Sequence, residues 1–227
     1  TLFRSKGTLL IISYSNSGIQ SKDNVLVKGS LTMLIKAMNN GIKGNDKVTI
    51  KENPTIGIVC GNNGIRTSNS DMGSSAQHGY IYIYGGTITI NSYGDGIDAE
   101  YSVIIDEGTD DDGNTYTPVI DIYTNTYSSY TTTSTTSTAS LSYESSTNSL
   151  VSITTNAMRP SAGGFTGGGG FTGGGFSSGT SAEKADDSAK GIKANETIEI
   201  NAGNIFIYAY DDGIHTNIET LETNVKS

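Results

Sequence analysis

Two short stretches, SYGDGIDAE and AYDDGIHTN, gather carboxylates around the same Gly-Ile pair: Asp95 and Asp98 in the first, Asp211 and Asp212 in the second. Calcium takes six to eight oxygen ligands from carboxylates and carbonyls on a rigid frame, and each turn offers two carboxylates with backbone carbonyls beside them. The loop DEGTDDDGN adds Asp110 and Asp112, alternating with Asn114 as at the start of an EF-hand loop. Gly113 comes too early for that motif, however, and no distal Glu follows. Calcium coordination and plain pairing with neighbouring cations both remain open on these residues.

A second chemistry is sugar stacking. In GYIYIYGG the alternation points Ile81 and Ile83 one way and Tyr80, Tyr82 and Tyr84 the other, and YAYDD repeats it with Tyr208 and Tyr210. Aromatic rows on a rigid strand can meet the apolar faces of sugar rings, although Tyr is also simply a good strand residue. Lys43, Arg66, Lys190 and Lys193 stand near the aspartate turns and could meet glycan oxygens. Catalysis is poorly supported: His78 and His215 belong to no nucleophilic triad, and Glu52, Glu100 and Glu196 are isolated, so no carboxylate pair marks a glycosidase. The credible enzyme is a polysaccharide lyase, in which a cation neutralises a uronate and a Lys or Arg takes the proton.

These residues are positioned by a repeat. Gly-Ile pairs start at Gly18, Gly41, Gly64, Gly96, Gly191 and Gly213, with steps of 23, 23 and 22 residues where no insertion intervenes. Each repeat continues with a polar turn and alternating β-branched stretches, and helical periodicity is absent. A fixed period in the twenties without helices predicts a right-handed parallel β-helix of about six coils, a solenoid spanning 1–227 as one domain. Gly is expected to supply a turn conformation closed to other residues, and Ile an inward rung. Residues 126–188, Ser/Thr-rich and then Gly-rich with Phe165, Phe171 and Phe176, form a low-complexity insertion. SVIID and PVIDIY complete the fourth coil before it, and SAKGIKAN resumes the fifth.

Stacking the repeats creates columns. Before each Gly stand Ser17, Asn40, Asn63, Asp95, Lys190 and Asp212; after each Ile stand Gln20, Lys43, Arg66, Asp98, Lys193 and His215. If the insertion loops out, Lys190 falls between Asp95 and Asp212, and Lys193 between Asp98 and His215, which is ordinary cross-strand charge pairing. A third column, Ala37, Cys60, Ser92 and Ala209, is small throughout and makes Cys60 a core residue.

Composition agrees. The 227 residues carry 14 basic and 23 acidic side chains, a net charge of -9 that argues against a nucleic-acid partner. Hydrophobic residues reach only 34%, Trp is absent and Gly numbers 29, which suits a narrow, glycine-turned β structure. One cysteine excludes an intramolecular disulfide framework, and no apolar run is long enough to span a membrane. The opening TLFRSKGTLLII, strand-like and without an initiator Met, leads us to expect an excised portion of a longer protein.

With GIQSKD, GYIYIYGG, GDGIDAE, SAKGIKA and DDGIH in that order, the chain resembles the extracellular carbohydrate-binding β-helix proteins of cellulose-degrading microbes. The resemblance implies a right-handed β-helix related to calcium-dependent pectate lyases. It also implies bound Ca²⁺, and binding of cellulose- and pectin-like polymers without established cleavage. On it, Asp95 and Asp98 are similar to part of the lyase-type calcium cluster, and Asp211 and Asp212 match the family's paired aspartates. Lys190 interrupts the acidic column, and KENPTIGIVCG replaces the usual Gly-turned strand pair. The expected function is non-catalytic, calcium-associated polysaccharide binding outside the cell or at its surface. The alternatives are a pectate-lyase-like enzyme and a structural module that self-associates through its coil ends.

Overall fold

The computed structural model describes residues 1–71, 78–124, 140–144, 149–154 and 189–217. They form strands joined by turns, bends and irregular segments, and no helix occurs among the described residues. No helix there is long and apolar enough to cross a membrane. Most of insertion 126–188, with Phe165, Phe171 and Phe176, and the tail 218–227 lie outside the described residues.

The strands, in chain order, are β1 (Leu2–Ser13), β2 (Ile19–Ser21), β3 (Asn24–Ala37), β4 (Ile42–Gly44), β5 (Lys47–Cys60), β6 (Ile65–Thr67), β7 (Tyr80–Ser92), β8 (Ile97–Ala99), β9 (Ser102–Ile105), β10 (Gly108–Thr109), β11 (Thr115–Tyr116), β12 (Val119–Thr124), β13 (Ser140–Glu144), β14 (Ser149–Thr154), β15 (Ile192–Ala194), β16 (Thr197–Ile200), β17 (Asn204–Tyr208) and β18 (Ile214–Thr216). They form two parallel ladders. In the larger, β1, β3, β5 and β7 lie side by side. β7 then pairs with β9 along its first half and β12 along its second, and β16 and β17 continue those two lines. The smaller ladder runs β2, β4, β6, β8, β15, β18. The hairpins β10–β11 and β13–β14 are antiparallel.

The register follows the repeat. Ile19, Ile42, Ile65, Ile97, Ile192 and Ile214 stand in one column of the small ladder. In the large ladder Ile35, Ile58, Ile90, Ile122 and Ile207 form another, with Met33, Ile56, Ile88, Ile120 and Ile205 beside it. Most of these side chains are fully buried, each contributing roughly 1.5–3 kcal/mol relative to exposure. SVIID and PVIDIY, as β9 and β12, both pair with β7 and so stand next to it in the large ladder. Thr124, standing against Ser92, joins the small-residue column. Its hydroxyl donates to the Ala189 carbonyl (2.7 Å) and accepts from the Tyr210 N–H (3.0 Å), so the chain leaves and returns at neighbouring points. Cys60 is buried, and burial pushes its thiol up to about 12.

Two expectations change. The Gly of Gly-Ile does not adopt positive φ; it is required by close approach. A Cβ on Gly64 would collide with Ile90 Cγ2 and lie 2.5 Å from the Gly96 carbonyl oxygen, and Gly18, Gly41, Gly96 and Gly191 meet equivalent atoms. Positive φ falls instead within the long strands, at Gly29, Glu52 and Gly85 among others. Secondly, KENPTIGIVCG, expected to differ from the other repeats by a changed loop, instead runs on within β5 and carries its difference as a register shift between Glu52 and Thr55.

Candidate functional site

The first aspartate turn is built where the ladders continue across the insertion. Lys193 pairs in register with Asp98 and His215, and Arg66 with Asp98. Asp95 and Asp98 are 9% and 8% exposed. Asp95 Oδ1 accepts the Lys190 N–H at 2.7 Å, and its own N–H donates to Asn63 Oδ1 at 2.9 Å. The Asn63 amide donates to Asp98 Oδ2 at 2.6 Å. Arg66 Nε lies 3.4 Å from Asp98 Oδ2, and Lys193 Nζ lies 3.9 Å from both Asp95 Oδ2 and Asp98 Oδ1. Desolvation dominates the titration: it raises Asp95 and lifts Asp98 to about 6, against the opposing pull of Arg66 and Lys193.

The second turn does not converge. Asp211 Oδ2 holds Lys190 Nζ at 2.9 Å, while Asp212 Oδ2 meets His215 Nδ1 at 2.8 Å. Asp110 sits at the tip of hairpin β10–β11. It accepts from the Asp112 N–H (3.0 Å), the Asn114 N–H (2.9 Å), the Asn114 amide and the Tyr116 hydroxyl (2.7 Å). Asn114 and then Tyr116 lower its carboxyl to about 2. Asp112 is exposed beside it.

Among the described residues no three His, Cys, Asp or Glu side chains converge to hold a metal ion. At Asp95 and Asp98 the carboxylates face an ammonium and a guanidinium, and a calcium ion would have to displace Lys193. As arranged, this donor set does not fit calcium; it is a half-buried ion-pair network. The residues expected to bind ligand therefore divide. Arg66 and Lys193 are engaged in that network, with Lys43 next to Arg66 in its ladder, while the Lys190 ammonium pairs with Asp211. Tyr80, Tyr82 and Tyr84 lie on the other ladder.

The tyrosines form a stack. Tyr80 and Tyr82 have ring centroids 5.6 Å apart at 7°, and Tyr82 and Tyr84 5.7 Å apart at 23°. Tyr101 leans on the Tyr80 end at 4.9 Å and 44°. Lys47 Nζ lies 5.9 Å from the Tyr82 centroid. The rings thus turn toward one another rather than forming a flat platform. Burial, then the neighbouring Tyr84 and Tyr80, pushes Tyr82 up to about 12, so its hydroxyl stays protonated.

At the other end Tyr84 lines a cleft of ≈ 290 Å³ with Lys51, Glu52, Glu107, Gly108 and Thr109. Hairpin β10–β11 makes one wall. A Cβ on Gly108 would collide with the Tyr84 carbonyl oxygen and lie 2.8 Å from Tyr84 Cβ. Glu52 is paired with Lys28 at 3.1 Å, and Glu107 accepts the Thr117 hydroxyl at 3.0 Å. Sequence reasoning missed this cleft because it set Glu52 aside as isolated and read DEGTDDDGN only for metal. The available signal was Glu52 and Pro54 breaking the repeat where Gly29 and Gly85 keep it.

The fold and this surface define an all-β, parallel-stranded protein with an aromatic row and a polar cleft. A family model described as carbohydrate-binding domain-containing protein matches residues 2–224, and the chain belongs to that family. No curated protein matches it. Among solved structures the chain is similar to the polysaccharide lyase-like protein from C. thermocellum, in a gadolinium derivative. The identity is 31% and the TM-score 0.45, covering 55% of this chain and 44% of that one. The chain thus spans less than half the length of that protein.

Proposed function

We propose that the protein binds plant cell-wall-type polysaccharide, cellulose- or pectin-like, without cleaving it, at a cell surface or in a secreted complex. Membership of the carbohydrate-binding family supports the ligand class. The observation that carries the reading on this chain is the Tyr80–Tyr82–Tyr84 stack, half-buried and braced by Tyr101 and Lys47. Rigid aromatic side chains with hydroxyl edges offer both apolar area and hydrogen bonds at small entropic cost. We further propose that the two parallel ladders are adjoining walls of a right-handed β-helix, which would hold the row on a stiff frame.

The lyase alternative needs a cation that can release its proton. Lys190 is the wrong way round: burial pulls its pKa down, but Asp211, Asp95 and Asp212 outweigh that and leave it raised. Calcium association, implied by the family resemblance, enters as one arm of the test. Retention would be measured on insoluble cellulose and on polygalacturonate gel, with calcium and then with chelator, for wild type and Tyr82→Ala. Retention that survives chelator and drops severalfold in Tyr82→Ala supports the tyrosine face. Retention abolished by chelator moves the site to the aspartate turns. No retention on either polymer sinks the binding reading.

A further inference from the structure

The cleft at the end of the tyrosine stack has its own chemistry, and it discriminates between the two polymers. Ring faces inside the stack are turned to their neighbours, and Tyr101 leans on the Tyr80 end. Tyr84, at the other end of the stack, lines the cleft. Its ≈ 290 Å³ lies at the small end of ligand pockets, roughly 300–1,000 Å³, which suits one or two sugar units rather than a long groove. Its walls are fixed: Gly108 brings the hairpin backbone onto Tyr84, Thr117 holds Glu107, and Lys28 holds Glu52.

We propose that this cleft is a subsite for a neutral hexopyranose unit, which packs on Tyr84 while its hydroxyls meet Glu107, Glu52 and Lys51. The inference rests on the polysaccharide-binding reading above and narrows it. Two carboxylates line the cleft against one lysine; the Lys28 pair offsets the charge of Glu52, and Asp106 and Glu199, whose charges reach Tyr84, keep the surroundings of Glu107 negative. A uronate would bring its own carboxylate beside both glutamates, on a protein of net charge -9. Like charges at such distances disfavour binding, whereas sugar hydroxyls donate readily to carboxylates. The cleft therefore selects cellulose-type over pectin-type chains.

The test is calorimetric binding of cellohexaose and of hexagalacturonate in chelator. Wild type, Glu107→Gln, Lys51→Met, Glu107→Lys and Tyr82→Ala would be compared, with thermal melts confirming folding. Cellohexaose should bind wild type at least about tenfold tighter than hexagalacturonate, and Glu107→Gln and Lys51→Met should each weaken it by about tenfold. Lys51→Met leaves the Thr117 bond intact, so its effect is not loss of the hairpin. Glu107→Lys should shift preference toward hexagalacturonate. Equal or tighter binding of hexagalacturonate to wild type overturns the proposal. So does cellohexaose binding that ignores both cleft variants yet falls in Tyr82→Ala, which would leave the row as the site. Polymer retention without binding of either oligosaccharide likewise overturns the cleft alone, whereas absence of retention on both polymers removes the broader reading.

Discussion

Glu52 stands opposite Gly85 in the register of β5 and β7, and both have positive φ, 67° and 133°. Glu52 is the sole non-glycine in that conformation among the described residues. Holding a side chain there costs on the order of 1–3 kcal/mol, and the side chain so held lines the cleft.

Glu52→Gly separates that cost from its use. Relief of backbone strain is offset by greater freedom of the unfolded chain and by loss of the Lys28 pair, which contributes about 0–1 kcal/mol. Stability in urea should stay within about 1 kcal/mol of wild type, while cellohexaose affinity falls by about tenfold. A large stability loss with unchanged affinity would make Glu52 a purely structural residue.

The Gly-Ile column gives an internal contrast. Gly64→Ala forces a methyl onto Ile90 and the Gly96 carbonyl, whereas a Cβ on Gly213 meets nothing within 4 Å. Overpacking at Gly64 should cost roughly 1–3 kcal/mol, and Gly213→Ala should lie within about 0.5 kcal/mol of wild type. Urea midpoints of the two variants measure this directly. Equal effects would mean that the column is not set by close packing.

How far the sequence reached follows from what repeats. The Gly-Ile period fixed the register, so Lys193 beside Asp98 and the burial of Cys60 were legible before any coordinates. The reason for glycine was misread, because period reports where a small residue recurs and not which contact demands it. The orientation of the Tyr80, Tyr82 and Tyr84 rings depends on side-chain torsions that alternation does not encode. The cleft was invisible for a third reason: Glu52 and hairpin β10–β11 are departures from the repeat, and they meet Tyr84 only in three dimensions.

Asp98 predicts an unusual pH dependence. Its folded-state value of about 6 lies above the ordinary 3.8, so the folded protein holds the proton more tightly than the unfolded chain. The resulting stabilisation is complete below about pH 3.8 and is lost as pH rises through 6, a change on the order of 3 kcal/mol. Asp98→Asn lacks this titration. Its stability relative to wild type should therefore rise between pH 4 and pH 7 by roughly 2–3 kcal/mol. Asp95, also raised, is coupled to Asp98 through its charge and through Lys193, so its own titration shifts in the variant and is followed alongside. Parallel pH profiles would place Asp98 near its ordinary value and the network in wetter surroundings.

Tyr116→Phe tests whether the hairpin is held by hydrogen bonds. The hydroxyl it removes donates to Asp110 at 2.7 Å and helps keep that carboxyl at about 2. The stabilisation is present above the ordinary carboxylate range and lost as pH falls through 2, so at neutral pH the hairpin is at full strength. In the variant the Asp110 carboxyl midpoint, followed by NMR, should move up toward 3.8. Cellohexaose affinity should weaken severalfold because β11 supports the cleft wall, with the global melt unchanged since the hairpin lies outside the core ladders. Calcium titrated into wild type distinguishes the other account of DEGTDDDGN. If the Asp110 and Asp112 carboxyl resonances shift together and saturate, the loop is a metal site, and its oxygens are shared between the ion and the donors of Asn114 and Tyr116. If they stay in place, Asp110 serves the hairpin alone, and the carboxylates that matter to the ligand are Glu52 and Glu107.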